Sequence, residues 1–398
     1  MKKDRVAIVA SHPIQHFCPL YRDLTLNGGA QIKVIFGTRT GLVRYFDKDF
    51  ATEVVWQLGL VDGFDHEFIA GAPGAEIPHS VPDVPARSVS KILTAYNPDV
   101  VQIYGLGGKL ARAAYFWALQ RRRKLLYFSD SENRQSRPWS ARVKKRLLMP
   151  ALFLPIDGFL TIGDWNEWYY RSYGVPRRKL FRCPYPIDSP TIAQAVKNRA
   201  QHRQEIRKLL CVPDDALLAI VVGKLIARKR PADAIRSVSM ANRISGHAKI
   251  VVTIVGSGPD RQILEALADS EGRENVRFAD FVPVLELPRY YMAADILIHP
   301  ASADPHPLAV GEAITAGLPV IISDRIGCVG PTDDVRPGQN GLEFSCGNID
   351  SLTRALLTLA GDEEARASMA AASLRIAQHR SLQMSTAGFL TAVRSVAS

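Results

Sequence analysis

The feature that most constrains this chain is a rhythm of short apolar, β-branched runs alternating with helical patterns, repeated in two separate series. The first series reads "RVAIVAS" at 5–11, "QIKVIFG" at 31–37, "DVVQIYG" at 99–105, "KLLYFSD" at 124–130 and "GFLTIG" at 158–163. The second reads "LLAIVVGK" at 217–224, "KIVVTIVGSG" at 249–258, "NVRFADFV" at 275–282, "ADILIHP" at 294–300 and "LPVIISD" at 318–324. Runs that are apolar on both faces and separated by helices predict parallel sheets covered on both sides. A polar stretch, "AQAVKNRAQHRQEIRKLL" at 193–210, divides the two series. At 398 residues the chain also exceeds the roughly 250–300 at which single cores stop growing. The expected architecture is therefore α/β, with two Rossmann-like domains at 1–187 and 188–375 facing across a cleft. A helical segment at 376–398 is expected to return to the first domain. Ligands of open parallel sheets bind beyond the carboxyl ends of the strands, so the cleft is where chemistry is expected.

One segment of the second series carries charge in an otherwise apolar setting: "DPHPLAVGEAITAGLPVIISD" from Asp304 to Asp324. Pro307 suits the first position of a helix and Gly317 its stop, so Leu308 to Ala316 reads as a short helix. Asp304 then lies in the loop outside its N-terminus, and Glu312 about 7.5 Å along the axis from Pro307. Between them are the free amides of Leu308 and Ala309, which with the helix dipole attract an anion. A phosphate flanked by two hydroxyl-binding carboxylates describes a nucleotide sugar. A capping role for Asp304 and a solvated position for Glu312 fit the same spacing.

Charge is unevenly placed. Residues 1–187 hold 27 Lys and Arg against 16 Asp and Glu, whereas 188–398 hold 23 of each, so the whole net charge of +11 belongs to the first half. Its densest parts are "RRRK" at 121–124 and "RVKKR" at 142–146, the latter followed by "LLMPALFL". A basic cluster beside an apolar stripe suits an anionic membrane surface or a phosphorylated substrate, and equally a solvated helix face. Nucleic acid is not expected, because the basic stretches lack interleaved aromatics. Apolar runs fall short of the roughly 20 residues a spanning helix needs. "MKKDRVAIVASHPIQ" reads as a first strand, not a signal peptide. The five cysteines show neither metal spacing nor a disulfide framework, which points to a cytoplasmic protein, peripheral at most on the inner face of the membrane, without structural zinc.

The second half resembles the retaining glycosyltransferases of family 4, which have the GT-B fold. Its "GKLIARKR" at 223–230 stands where the family has G-R-L-x-x-x-K-G, "IVGSGPDRQIL" at 254–264 at the next strand and helix start, and "VRFADFVP" at the segment that meets the nucleobase. "YYMAADILIHPA" matches the strand before the donor loop, and Asp304 and Glu312 fall on the two carboxylates of the E-x7-E motif. The resemblance implies a donor site made of Gly223, Lys224, Lys229, Gly256, Phe281, Asp304, Leu308, Ala309 and Glu312. It implies that Lys224 and Lys229 hold the donor diphosphate, Glu312 the ribose and Asp304 the transferred sugar, with no metal or other cofactor. Gly258 belongs to the same turn as Gly256.

Departures from the pattern are equally plain. Asp replaces Glu at 304, and "PHPL" stands where a glycine is frequent before the leucine. In the first domain "SHPIQHFCPLYRDL" at 11–24 replaces a glycine-rich acceptor loop and resembles a subgroup associated with bacterial surface polysaccharides. A mid-domain histidine is missing, with "YFSDSENR" at 127–134 in its place, offering Ser129, Asp130 and Glu132. His12 and His16 become the candidates for contact near the reacting sugar. The expected function is retaining transfer of a sugar from a nucleotide-diphosphate donor to a glycan or lipid-linked acceptor. A catalytically silent subunit or glycan-binding scaffold, and another GT-B sugar-nucleotide enzyme such as an epimerase or phosphorylase, are the alternatives.

Overall fold

The computed structural model describes residues 3–54, 56, 59–69, 87–135, 138–187, 189–246 and 249–397. The β-branched runs become two parallel sheets. Among the described residues the first has seven strands, in the spatial order His66–Phe68, Gln31–Phe36, Arg5–Ala10, Val100–Tyr104, Lys124–Phe128, Gly158–Thr161 and Leu180–Arg182. The second has six, in the order Val276–Ala279, Ile250–Val255, Leu217–Val222, Ile296–His299, Val320–Ser323 and Gly341–Phe344. Each opens on a central strand and reverses direction there, which leaves a crevice at the carboxyl ends.

Alternation of side chains explains why these strands are apolar on both faces. In Arg5–Ala10, Val6, Ile8 and Ala10 join one core cluster while Ala7 and Val9 join another on the opposite face. Leu217–Val222 divides likewise, Leu218 and Ile220 to one face, Ala219 and Val221 to the other. Each sheet therefore needs a helical layer on both sides, and the chain supplies one of them from a distance. Helix Leu382–Ala397 packs Phe389, Ala392 and Val393 against Val6, Ile8 and Leu126 of the first sheet. Its Gly388 lies so close to the strand Leu180–Arg182 that an added Cβ would sit 2.0 Å from the Arg182 carbonyl oxygen. Ser385 Oγ donates to the Pro184 carbonyl at 2.8 Å and seals the crossing.

The polar stretch at 193–210 is two helices, Ser189–Lys197 and Arg199–Leu209, whose Ile192, Ala195, Ile206 and Leu210 enter the core of the second domain. Three edge or near-edge strands, His66–Phe68, Leu180–Arg182 and Gly341–Phe344, and the antiparallel pair Tyr45–Asp47 with Thr52–Val54 were not among the expected runs. They are three or four residues long and mix polar with apolar side chains, which leaves no periodic signal. Among the described residues no helix is long and apolar enough to cross a membrane.

Phe389 is 2% exposed, so Phe389→Ala should cost about 3–5 kcal/mol, as expected for a buried aromatic. The loss should fall on the first domain although the residue is ten from the end of the chain, and domain-resolved hydrogen exchange in urea is the check. Protection lost only in 217–344 would contradict the packing described.

Candidate active site in the interdomain cleft

Between the domains lies a cavity of about 400 Å³. Its second-domain wall is built from the loops that follow Leu217–Val222 and Ile296–His299 and from the start of helix Leu308–Thr315, while Gln15, His16, Asp49 and Phe50 border it from the first domain. Positive φ angles set the glycine-rich parts: +149° at Gly223 and +142° at Gly256. A Cβ on Gly256 would stand 1.9 Å from the Gly223 carbonyl oxygen, and one on Gly258 would stand 2.4 Å from that of Leu225. Bareness lets the two loops touch through backbone, with Gly223 N donating to Val255 O at 3.0 Å and Leu225 N to Ser257 O at 2.9 Å. Gly223 borders the cavity, and Gly256 stands between the two residues whose carbonyls hold that loop, its own N–H donating to Ala279 O at 3.1 Å.

The loop so supported carries Lys224 and Lys229. Lys229 Nζ makes a short ion pair with Asp304 Oδ2, and His299 Nε2 lies 3.3 Å from the same oxygen. Asp304 is 8% exposed. Burial alone would raise its pKa, but a hydrogen bond with His299 and the Lys229 ammonium outweigh it and hold the carboxyl well below the usual range. Asp304 is thus a fixed anion. Three residues on, Pro307 is the N-cap (φ −67°, ψ 126°) and not the first helical residue, and the helix runs from the expected Leu308 to Thr315, one residue short of the expected end. No side chain caps it, and Leu308 and Ala309 face the cavity. One turn further, Glu312 borders the cavity and accepts a 2.8 Å hydrogen bond from the fully buried Tyr291 hydroxyl. That contact fixes which way the carboxylate points.

Lys224 reaches across the cleft. Its Nζ lies 3.1 Å from Asp47 Oδ1 and 3.2 Å from Asp49 Oδ2, and 4.9 Å from the centre of the Phe50 ring. Phe50 in turn meets Phe281 edge-on, ring centres 5.1 Å apart. The segment Asp47 to Phe50 therefore sets two carboxylates on one candidate phosphate cation and an aromatic ring on the candidate base platform. It carries no motif that marks it beforehand. "FDKDF" reads as a solvated turn, and its flanking aromatics are the sole hint.

The histidines separate. His16 borders the cavity and packs 5.0 Å from the Tyr185 ring. His12 is not among the cavity's bordering residues, and its Nδ1 lies 2.9 Å from Ser11 Oγ. Burial pushes the His12 pKa down to about 4, and burial with repulsion from His12 pushes His16 down to about 3. Of the three residues offered by "YFSDSENR", Ser129 serves its own turn, its Oγ donating to Ser131 Oγ at 2.8 Å. Glu132 is buried beside Gly327 of the second domain. Asp130 is not among the residues bordering the cavity, but it stands near Asp304: desolvation and that charge raise its pKa while His306 and Tyr185 oppose the shift.

Behind the loop that carries Asp304, His306 Nε2 lies 3.0 Å from Asp334 Oδ2 and 3.8 Å from Asp333 Oδ1, all three buried. Among the described residues this is the group with the spacing of metal ligands. It already contains a cation, because Arg380 Nε is 2.8 Å from Asp334 Oδ1.

With two facing Rossmann-like domains, this site at the strand ends and the C-terminal helix crossing back, the chain has the GT-B fold. Comparison agrees: the Anabaena protein HepE, solved with UDP and glucose, superposes with a TM-score of 0.69 at 13% identity, over 98% of this chain and all of that one. Residues 202–375 match the family of glycosyl transferases group 1. Among curated relatives, a GDP-mannose-dependent alpha-mannosyltransferase of Corynebacterium glutamicum is 25% identical over 325 residues, 74% of this chain and 66% of its own. An alpha-monoglucosyldiacylglycerol synthase of Acholeplasma laidlawii is 26% identical over 195 residues, 48% and 43% of the two chains. The chain thus spans between about two fifths and two thirds of the length of these relatives.

The buried histidines give the fold a pH dependence. In the unfolded chain they take protons near 6.5, in the folded one only near 4 and 3, so between these limits the unfolded state binds more protons. Stability from this source is complete above about 6.5 and is lost as pH falls toward 4. The melting temperature should drop across that interval, and His16→Gln, which cannot take the charge, should flatten the drop. An unchanged slope would remove His16 from this account.

Proposed function

We propose that the chain is a retaining glycosyltransferase that moves a sugar from a nucleotide-diphosphate donor to a glycan or lipid-linked acceptor. The observation that carries this reading is convergence on one cavity: two lysines from one loop, an uncapped helix start and, one turn along that helix, a carboxylate held in place by Tyr291. The cavity volume of about 400 Å³ lies in the range of small-ligand sites. The match of residues 202–375 to glycosyl transferases group 1 supports the donor half of the reading. For the acceptor half, the name of the Acholeplasma relative carries a diacylglycerol, and "SHPIQHFCPLYRDL" resembles enzymes of bacterial surface polysaccharide assembly.

In this mechanism the donor diphosphate lies over the amides of Leu308 and Ala309, with Lys224 and Lys229 neutralising it and Glu312 accepting from the ribose hydroxyls. Phe281 faces the base. Bond breaking leaves negative charge on the departing diphosphate while the sugar becomes oxocarbenium-like, so cations placed at that diphosphate stabilise the transition state more than the ground state. Lysines and helix dipole supply this charge without a metal. Asp304, held ionised by Lys229 and His299, accepts from a sugar hydroxyl. The incoming acceptor hydroxyl gives its proton to the departing phosphate, and His16, neutral near pH 7, orients the group beside it. Donor binding must also displace Asp47 and Asp49 from Lys224 and Phe50 from Phe281.

A thermal-shift panel of UDP-, GDP- and ADP-sugars tests the reading directly, since a ligand that binds the folded state raises its apparent stability. One nucleotide series should raise the melting temperature; none doing so, with no donor hydrolysis, would favour a silent scaffold. Glu312→Gln should fold normally and weaken donor binding by about 1.5–3 kcal/mol, the worth of a hydrogen bond to a charged group. Asp49 is 56% exposed at its side chain, so its hold on Lys224 is worth up to about 1 kcal/mol. Asp49→Asn should therefore bind donor up to about fivefold tighter in titration calorimetry. Weaker binding would show that Asp49 helps to hold the donor instead of competing with it.

A further inference from the structure

Helix Trp139–Phe153 of the first domain turns an apolar stripe outward. A 15-residue helix on a sheet normally turns its apolar stripe inward, yet Phe153 is the only residue of this one that is fully buried. Trp139 is 76% exposed, Leu147 73% and Leu154, at its end, 79%. At 3.6 residues per turn, Trp139, Val143, Leu147, Pro150 and Leu154 fall within an arc of about 80°. That arc faces solvent. Arg142 and Arg146 border it on one side and Lys144 on the other, all exposed. Lys145 turns the other way, its ammonium 5.6 Å from the centre of the Tyr169 ring on the neighbouring helix. From Pro138 to Ile156 the sequence contains no Asp or Glu.

We propose that this helix lies in the surface of an anionic bilayer, with the stripe from Trp139 to Leu154 buried among the acyl chains and Arg142, Lys144 and Arg146 at the lipid phosphates. An apolar stripe between basic flanks is the pattern of an interfacial helix, and Trp suits the boundary between headgroup and chain. Fifteen residues are too short to span. Charge selects this occupant: a second copy of the chain would set this all-basic face against its own like charge, while an anionic surface complements it. Continuity adds to the argument. Beyond Leu154, Lys179 Nζ donates to the Ile156 carbonyl at 2.5 Å and so fixes the turn Arg177–Lys179 beside the end of the helix, with Arg177 and Arg178 exposed. Basic residues thus follow the stripe along its length. The helix begins soon after the carboxyl end of strand Lys124–Phe128, so docking brings the rim of the cleft to the headgroups. A lipid-borne acceptor could then enter without leaving the membrane.

The test needs no substrate, so its outcome is separate from that of the transfer reading. The full chain is sedimented with vesicles of phosphatidylcholine alone and of phosphatidylcholine with phosphatidylglycerol, at low and at high salt. Expected is binding to the anionic vesicles that weakens with salt. Changing Arg142, Lys144 and Arg146 to Ser together should lower partitioning on the order of a hundredfold, each basic residue near the surface being worth about fivefold. Leu147→Ser with Leu154→Ser, at exposed positions that leave the fold intact, should weaken binding at unchanged net charge. Trp139 fluorescence, taken as the difference between the native chain and Trp139→Phe, should be quenched by brominated lipid. Equal partitioning of native and variant chains, absence of quenching, or a concentration-dependent dimer abolished by the leucine variants would each overturn the proposal.

Discussion

The cleft depends on one ion pair, that of the buried Asp304 with the half-buried Lys229. Its partners stand 75 residues apart, in the loops that follow two neighbouring strands, Leu217–Val222 and Ile296–His299, paired in register at Ala219 with Ile296. Adjacent parallel strands deliver their next loops to the same end of the sheet, and the pair ties those loops together. Secondary contacts follow from it: Ser302 N donates to the Arg228 carbonyl at 2.9 Å, and Arg228 Nη1 to that of Ala303 at 3.2 Å. A buried charge that loses its partner is strongly destabilising, so neither loop is free to drift. Pro307 then starts its helix from a fixed point, and the orientation of the Leu308 and Ala309 amides is set before any ligand arrives.

Across the cleft the two ends behave differently. At one end the domains are fastened by polar contacts that leave little room. Arg134 Nη2 is 2.7 Å from Glu343 Oε2, and Asp164 N donates to Asp333 Oδ2 at 2.7 Å. A Cβ on Gly163 would come within 2.3 Å of the Asp333 carboxylate, and one on Gly330 within 2.3 Å of that of Asp164. At the other end the contact is the pairing of Lys224 with Asp47 and Asp49, on side chains 28%, 11% and 56% exposed. Partly hydrated ion pairs are weak and exchangeable, whereas the close backbone approach at Gly163 and Gly330 is not. Motion of one domain over the other is therefore cheaper at the Lys224 end, where the candidate ligand site lies open.

Periodicity carried most of the fold. Most of the ten runs were apolar on both faces because they have a helical layer above and below, and that burial leaves a continuous signature. The unexpected strands, "HEF", "LFR" and "GLEF", are short and mixed in polarity, and pairing with a neighbour places them, not their own composition. Local order in the site was equally legible. Pro307, the helix and Gly317 follow from backbone chemistry, though the proline sits one position earlier than its usual place inside the first turn. Contacts between distant segments were not legible. Lys224 and Lys229 read as two equivalent cations, yet one is paired with the buried Asp304 and the other is shared with the opposite domain. His12 and His16 read as a pair, but four residues across the loop and into a helix turn separate their surroundings. Nothing in "SHPIQH" distinguishes the one that borders the cavity.

The C-terminal crossing connects these observations. Arg380 stands just before the helix that returns to the first sheet, and its guanidinium is buried against Asp334, which also holds His306 in the loop before helix Leu308–Thr315. Asp334 keeps its carboxylate because Arg380 and His306 offset the cost of burial, whereas burial and the neighbouring Asp334 charge raise the pKa of Asp333 despite His306 nearby. One shared cation thus links the loop before helix Leu308–Thr315 of the second domain to the segment that anchors the first. Gly311 completes the link, since an added Cβ would meet Ile187 at 2.9 Å, so helix Leu308–Thr315 lies directly against the other crossing of the chain. Both interdomain connections therefore touch the element whose N-terminus faces the cavity. Replacing such a buried network by apolar residues need not cost stability, and what it provides is geometry. A change in the angle between the domains passes through His306 and Gly311, and it reaches the cavity-facing amides with almost no intervening chain.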